Sequence, residues 1–247
     1  MQFILGKRFF KKLFFGCFYL AIFSLIIFFI FQKITERRTP PPQPPQEPSI
    51  LEAKFVPSQE NKGDVVFKVK NPNEEMGLIS FIYQISLTNE IGEIIEEKKG
   101  YDFLLPRQTK YIFSFDWPVS QEEVKHIKIK ITSFNWKKFK EKYHQWLTVR
   151  DIRDHLGFSL DEPYYWLEGV LTNHSALDLE KVEIKAIIRD EKNQIITLSQ
   201  TNQEIVKSLE ERHFKIVWPK ATPRMKGKDI NSFRIEVYPE ANFMKYF

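Results

Sequence analysis

The chain has 247 residues, of which 43% are hydrophobic and 28% charged, which suits one or two folded domains. Its net charge of +5 is concentrated at one end. The first 38 residues hold seven of the 37 Lys and Arg and one of the 32 acids, so residues 39–247 set 30 cations against 31 acids. With no net positive field there, a sequence-independent grip on phosphates is poorly supported and no nucleic-acid partner is expected. A single cysteine rules out an intrachain disulfide.

Residues 1–12 form a basic segment, followed by LFFGCFYLAIFSLIIFFIF, Leu13 to Phe31, which carries no charge and would reach ~28 Å as a helix. This predicts one transmembrane helix, with the lipid bilayer as its partner. The run ends in IFQKITERR without a small-residue cleavage site, so it does not read as a removed signal peptide. Cys17 follows Gly16, as a lipoprotein cysteine follows a small residue, but most of the apolar stretch lies after it. It therefore reads as a small membrane-facing residue. Lys7, Arg8, Lys11 and Lys12 precede the helix and Lys33, Arg37 and Arg38 follow it, a slight bias placing the N-terminus in the cytoplasm and the rest outside.

Residues 32–48 form a Pro-rich linker whose TPPPQPPQEP, Thr39 to Pro48, favours an extended polyproline spacer. A docking site for a polyproline-reading domain is the alternative.

Beyond it, the Trp-Pro pair of SFDWPVS, Trp117 and Pro118, returns as Trp218 and Pro219, a shift of 101 residues. Other features fall into line at that shift. Leu87 meets Ile188, Asn89 meets Asp190, Gly92 meets Asn193, and Ile94 with Ile95 meets Ile195 with Ile196. FKVKNPN, ending at Asn73, matches GVLTNHS, ending at Ser175, with one gap. VKHIKIKI matches INSFRIEV, and NWKKF from Asn135 parallels NFMKY from Asn242. The expectation is two homologous units, residues 49–139 and 155–247, with each Trp delivered to a core by a strand that the following Pro ends.

Period two dominates each unit, as at Val65, Phe67 and Val69, at Tyr111, Phe113 and Phe115, and at Ile127, Ile129 and Ile131. NEIG and DEKN supply hairpin turns. The chain is thus expected to be mainly β: two tandem immunoglobulin-like β-sandwiches joined by a short helix. That connecting helix is placed at residues 140–154, because Trp136, Phe139, Tyr143, Trp146, Leu147 and Arg150 recur at helical spacings. Packing between the units is favoured for it over lying on the membrane surface.

The stretch from Trp166 to Pro219 resembles the FxLYD domain family of prokaryotic envelope proteins. Gly169, Val170 and Asn173 fit its early strand, Val182, Ile184 and Ile188 the central strand, Asp190 the residue before the turn, and Phe214 the late strand. The motif that names the family reads Ala186, Ile187, Ile188, Arg189, Asp190 here, and Ile85, Ser86, Leu87, Thr88, Asn89 in the first unit, so both aromatics are absent. The resemblance implies small immunoglobulin-type sandwiches behind a membrane anchor, with no shared catalytic activity.

Standard catalytic templates are missing: no GxSxG, HExxH, glycine-rich phosphate loop or cysteine pair. The five histidines, His126, His144, His155, His174 and His213, are scattered. Asp151, Asp154 and His155 would share one face of a helix, yet arginines interleave and a fourth ligand is lacking, so a salt-bridged linker is preferred to a metal site. Asn173, His174 and Ser175 form a glycosylation sequon, but Asn173 aligns with Asn71, where no sequon exists, and a shared turn explains both. No catalytic residue, metal ligand or cofactor is assigned.

Three functions compete. The first is an envelope binding or scaffolding protein whose sandwiches contact another protein or a polymer. The second is a structural subunit using its transmembrane helix as the contact, poorly served by Gly16, Ala21 and Ser24 as its few small residues. The third is an envelope-polymer hydrolase, for which no carboxylate pair stands out.

Overall fold

The computed structural model describes residues 7–36, 44–139, 146–159 and 161–246. It divides into two compact units, Met1–Pro44 and Pro45–Phe247. The N-terminal unit holds helix α1 (Lys7–Glu36), within which Phe10–Lys33 is long and apolar enough to cross a membrane, and none of that span is buried. Its Phe, Leu and Ile side chains are exposed all round, which in water would leave no polar face.

The C-terminal unit is β-structure. Its strands are β1 (Ser49–Gln59), β2 (Lys62–Lys70), β3 (Met76–Thr88), β4 (Ile94–Leu104), β5 (Thr109–Trp117), β6 (His126–Lys138), β7 (Leu147–Leu156), β8 (Tyr165–Asn173), β9 (Leu179–Arg189), β10 (Ile195–Val206), β11 (Glu211–Trp218) and β12 (Arg234–Glu240). They form four antiparallel three-stranded sheets, ordered β1-β2-β5, β4-β3-β6, β11-β8-β7 and β10-β9-β12. The last six strands repeat the wiring of the first six.

Correspondence reaches single residues. In the β3–β4 hairpin Thr88 pairs with Ile94 and Leu87 with Glu96, leaving Ile95 as a bulge. In β9–β10 Arg189 pairs with Ile195 and Ile188 with Thr197, leaving Ile196. Both turns close identically. The Asn89 Oδ1 accepts from the Glu93 N–H and the Asp190 Oδ1 from the Gln194 N–H, each at 2.9 Å. Gly92 (φ 85°) and Asn193 (φ 61°) occupy the left-handed position, which Gly tolerates freely and Asn better than most residues.

Asn71 and Asn173, both fully buried, end β2's sheet contacts and β8 alike. The Asn71 Nδ2 donates to the carbonyls of Met76 (2.7 Å) and Leu105 (3.0 Å), and the Asn173 Nδ2 to those of Leu177 (2.8 Å) and Lys207 (2.9 Å). A shared turn is thus the role of these asparagines. With its amide enclosed in this way, Asn173 is no glycan acceptor in the folded chain. Beside the first turn, the Asn73 Nδ2 donates to the Gln46 carbonyl at 2.7 Å, which fastens the end of the Pro-rich segment. Residues 39–43 lie outside those described.

Trp117 and Trp218 close β5 and β11, 0% and 3% exposed, each in the core of its own sheet pair. Pro118 and Pro219, lacking an N–H, follow them. The indoles differ in partner: Trp117 donates to the Ser114 carbonyl within its own strand (3.1 Å), Trp218 to the Thr197 hydroxyl (2.8 Å) and the Leu198 carbonyl of β10 (3.0 Å).

The sheets stack in four layers. Val65, Phe67 and Val69 of β2 face Phe81, Tyr83 and Ile85 of β3. Val182, Ile184 and Ile188 of β9 face Leu167, Leu171 and Phe214. Between these cores lies a third, in which Val56, Val66, Tyr111 and Phe113 of the first sheet meet Ile187, Ile195 and Leu198 of the fourth. The alternating Tyr111, Phe113 and Phe115 therefore point at the other sheet pair, while Ile112 and Trp117 fill their own core.

Three expectations need correction. The helix placed at residues 140–154 is a strand from Leu147 onward, and residues 140–145, including Tyr143 and His144, lie outside those described. A bulge at Asp151 (φ 54°) sets Asp151 and Ile152 against one residue of β8, so the covered apolar positions run 147, 149, 152 and 156. That step of three imitates a helical period. Trp136 belongs to β6, where it stacks on Phe134, and Phe139 follows the strand, buried. The second sheet pair thus begins at Leu147, eight residues before the expected boundary at 155.

The second correction concerns β6 and β12. Ile127 sits opposite Leu87, and Ile235, not Phe233, sits opposite Ile188, so the alignment of VKHIKIKI with INSFRIEV slips by two residues. The third is the ends: residues 135–138 continue β6, whereas Phe243–Lys245 form a 3-10 turn whose Phe243 is buried against Trp146.

Candidate ligand cleft

Strands packed on both faces must direct some polar side chains into the contact, and here Lys185 of β9 and Lys110 of β5 are the ones. Both are nearly fully buried where the two sheet pairs meet. Glu240, at the end of β12, lies between them: its carboxylate takes Lys185 Nζ at 2.6 Å on one oxygen and Lys110 Nζ on the other. Lys110 also reaches Asp102 of β4 at 2.6 Å and caps the Phe103 ring at 3.8 Å. Lys185 adds Glu183 at 3.6 Å and the Tyr111 carbonyl at 3.4 Å.

Burial opposes ionisation of Glu240, but the two lysines outweigh it and lower its carboxyl to about 2. Burial likewise works against the charge of Lys185, and Glu240 with Asp102 overcomes it, raising the ammonium above its ordinary range. Asp102 goes the other way. Its burial prevails over Lys110, and Glu240 adds repulsion, so its carboxyl is raised. A second polar seam runs beside the first, where Arg189 Nη2 donates to the Tyr111 hydroxyl at 3.0 Å and Nε faces Glu236 at 3.3 Å.

Alongside the Lys110–Glu240–Lys185 group opens a cavity of about 530 Å³ with walls from both sheet pairs. Tyr83, Tyr101, Phe103 and Phe113 contribute from the first, and Glu183, Gln200, Asn242 and Tyr246 from the second. Tyr83 is held by packing: its ring meets Phe67 edge-on at 5.1 Å and lies over Gly100, where a Cβ would come within 2.3 Å of it. Burial pushes its hydroxyl up to about 12, with Asp102 adding to the effect. A smaller cavity of about 430 Å³ lies on the other flank, lined by Thr109, Lys110, Tyr238 and Phe243 among others.

The residues weighed for a metal do not converge. Asp154 and His155 leave β7 on opposite faces; Asp154 accepts from the Tyr165 hydroxyl at 2.9 Å, while His155 stacks on Trp166 at 5.0 Å. Asp151, on the bulge, pairs with Arg150. Of the other histidines, His174 meets the Thr148 hydroxyl at 2.8 Å and His126 and His213 sit in strands. The Trp166 ring is already engaged, by the Lys215 ammonium at 4.5 Å and by the stacked His155.

Sequence reasoning missed the cleft. Lys110, Lys185 and Glu240 read as solvated charges in alternating strands, and only their flanking apolar neighbours, as in IKAII around Lys185, hint that both faces of the strand are covered.

Asp64 of β2 is a separate buried carboxyl, raised to about 6 by burial against the Asp116 N–H that donates to it at 3.1 Å, with the Asp116 charge adding to the rise. A carboxyl raised above its ordinary 3.8 stabilises the fold fully below that value, and the contribution is lost as pH rises through 6. Asp64→Asn keeps the acceptor oxygen and removes the charge. It is expected to raise stability at pH 7.5 by about 1–2 kcal/mol and to do nothing near pH 3.5. Urea midpoints at the two pH values check this, and equal shifts at both would refute it.

No protein family matches the sequence, and no curated protein matches it. Among solved structures, one described as carbohydrate-binding modules of promiscuous specificity from the β-sandwich superfamily aligns over 74% of this chain and 89% of that one, at 8% identity and a TM-score of 0.17. A likeness that low carries no argument about fold or ligand, so the description rests on the strands and contacts themselves: a mainly β chain of small antiparallel sheets behind one apolar N-terminal helix.

Proposed function

We propose that this protein is a single-pass envelope protein that binds or scaffolds a partner through two immunoglobulin-like sandwiches, derived from one duplicated unit and related to the FxLYD family. Its helix anchors it in the membrane with the N-terminus in the cytoplasm, and the Pro-rich segment links the helix to the sandwiches on the outer side.

The observation that carries the reading is the middle layer of the stack. Val66 and Tyr111 against Ile187 and Leu198, together with the Lys110–Glu240–Lys185 group, lock both sandwiches into one body. Joined in this way they present a fixed, composite surface, including a cleft that neither forms alone, which suits recognition rather than a flexible spacer. The match of both hairpin bulges and both buried asparagines supports duplication.

The test is crosslinking in intact cells with an amine-reactive reagent. Adducts to a different envelope component, kept when α1 is exchanged for an unrelated membrane helix, are expected. Only self-adducts, or adducts lost with the helix exchange, would overturn the reading. Protease digestion of the C-terminus without lysis checks the orientation.

A further inference from the structure

Every charge lining the larger cavity is already answered. Lys181 pairs with Glu183 at 3.0 Å, Lys245 with Glu180 at 3.0 Å, Lys185 with Glu240 at 2.6 Å, and Asp102 with Lys110. An anionic ligand would have to displace a carboxylate from its lysine, and a cationic ligand a lysine from its carboxylate. Neither finds an uncompensated charge, so net charge is not what the cleft selects.

Its neutral groups are different. The hydroxyls of Tyr83 and Tyr101 and the amide of Gln200 take no hydrogen bond among the described residues. Tyr83 is the telling one, because the residue is only 8% exposed and it lines the cavity. Its ring is buried while its hydroxyl opens into the cavity, where water or a ligand can pair with it. Tyr101, by contrast, stands at the mouth, 84% exposed, with an aromatic face that nothing covers. Phe103, Ile112 and Phe113 add apolar wall.

Unpaired neutral donors and acceptors beside aromatic and aliphatic surface, in about 530 Å³, match a compact ligand bearing hydroxyls on its edges and C–H groups on its faces. We propose that the cleft binds a neutral saccharide, with the Tyr83 hydroxyl and Gln200 amide bonding its hydroxyl groups and the Tyr101 ring lying against one sugar face. The assignment rests on the binding role proposed above and names the ligand class of that role. Both sandwiches contribute, so neither binds alone.

The experiment uses the full chain in lipid nanodiscs, with saturation-transfer NMR and titration against three uncharged probes, maltotriose, cellotriose and chitotriose, and two charged ones, trigalacturonate and spermidine. Transfer to the ring protons of at least one neutral trisaccharide is expected, and none to the charged probes above the level set by salt. Tyr83→Phe keeps the ring packing and Tyr101→Ala touches only the mouth. Each should weaken that binding at least fivefold with the urea midpoint unmoved, whereas Trp166→Phe, on another sheet face, should leave it unchanged.

Absence of transfer to all three neutral probes, preference for a charged probe, or full affinity in Tyr83→Phe would overturn the proposal. Heterologous crosslinks in cells without saccharide binding would sink this assignment and leave the scaffolding role standing. Saccharide binding without any such crosslink would do the reverse.

Discussion

Replacing Glu240 by Gln is expected to lower the stability of the β-structure by about 3–5 kcal/mol. Among the described residues the carboxylate alone touches both Lys110 and Lys185, and its loss leaves two buried ammonium groups facing each other across the contact between sheet pairs. Asp102 offers poor relief because its own carboxyl is raised, and Glu183 reaches Lys185 but not Lys110 and already pairs with Lys181. Urea unfolding followed by Trp fluorescence reads the change cleanly, since all five Trp lie beyond residue 116 and none in α1. A loss below about 1 kcal/mol would show that the group is not the anchor of the interface.

The same group sets an acid limit. A carboxyl lowered from 4.5 to about 2 contributes stability that is complete above 4.5 and disappears as pH falls through 2. Wild-type protein should lose stability across that window, whereas Asp102, whose carboxyl is raised, makes its gain at higher pH and has finished by 3.8. Glu240→Gln should flatten the slope. The double variant Glu240→Leu with Lys185→Met, which removes charge from both sides, should recover part of the deficit of Glu240→Gln.

Trp117→Ala and Trp218→Ala should each cost about 3–5 kcal/mol, as expected for deleting a fully enclosed indole. The more discriminating result is the shape of the curve. Because Val66, Tyr111 and Phe113 are covered by Ile187 and Leu198, unfolding one sheet pair strips the outer face of the other. Both variants should therefore unfold in one transition, shifted as a whole. Two resolved steps, with only one moved by each substitution, would mean that the sheet pairs are energetically independent and the middle layer is a weak contact.

Features fixed by local chemistry were legible in the sequence. Leu13 to Phe31 announced its helix through composition alone, and NEIG with DEKN announced their hairpins because the left-handed position admits few residues besides Gly and Asn. The two Trp-Pro pairs marked equivalent strand ends for the same reason: a Pro cannot extend a ladder. What stayed hidden depends on contacts distant in the chain. Val66 and Ile187 look like ordinary strand residues until a second sheet covers them, and the Asp151 bulge converted a strand into the image of a helix by adding one residue. The cleft was the least visible, because Lys110 and Glu240 alone are 130 residues apart and no local pattern marks them, Asp102 or Lys185.

A sheet covered on both sides answers to two neighbours at once. Val66 and Ile187 are each constrained by a second sheet pair beyond their own, whereas the outward residues of β8, such as Trp166 and Glu168, meet only solvent and neighbours on their own sheet, His155 and Lys215 among them. Among descendants of this gene, drift should therefore accumulate fastest on the outermost sheets and slowest in β2 and β9, so that the seam between the sheet pairs outlasts the likeness between them.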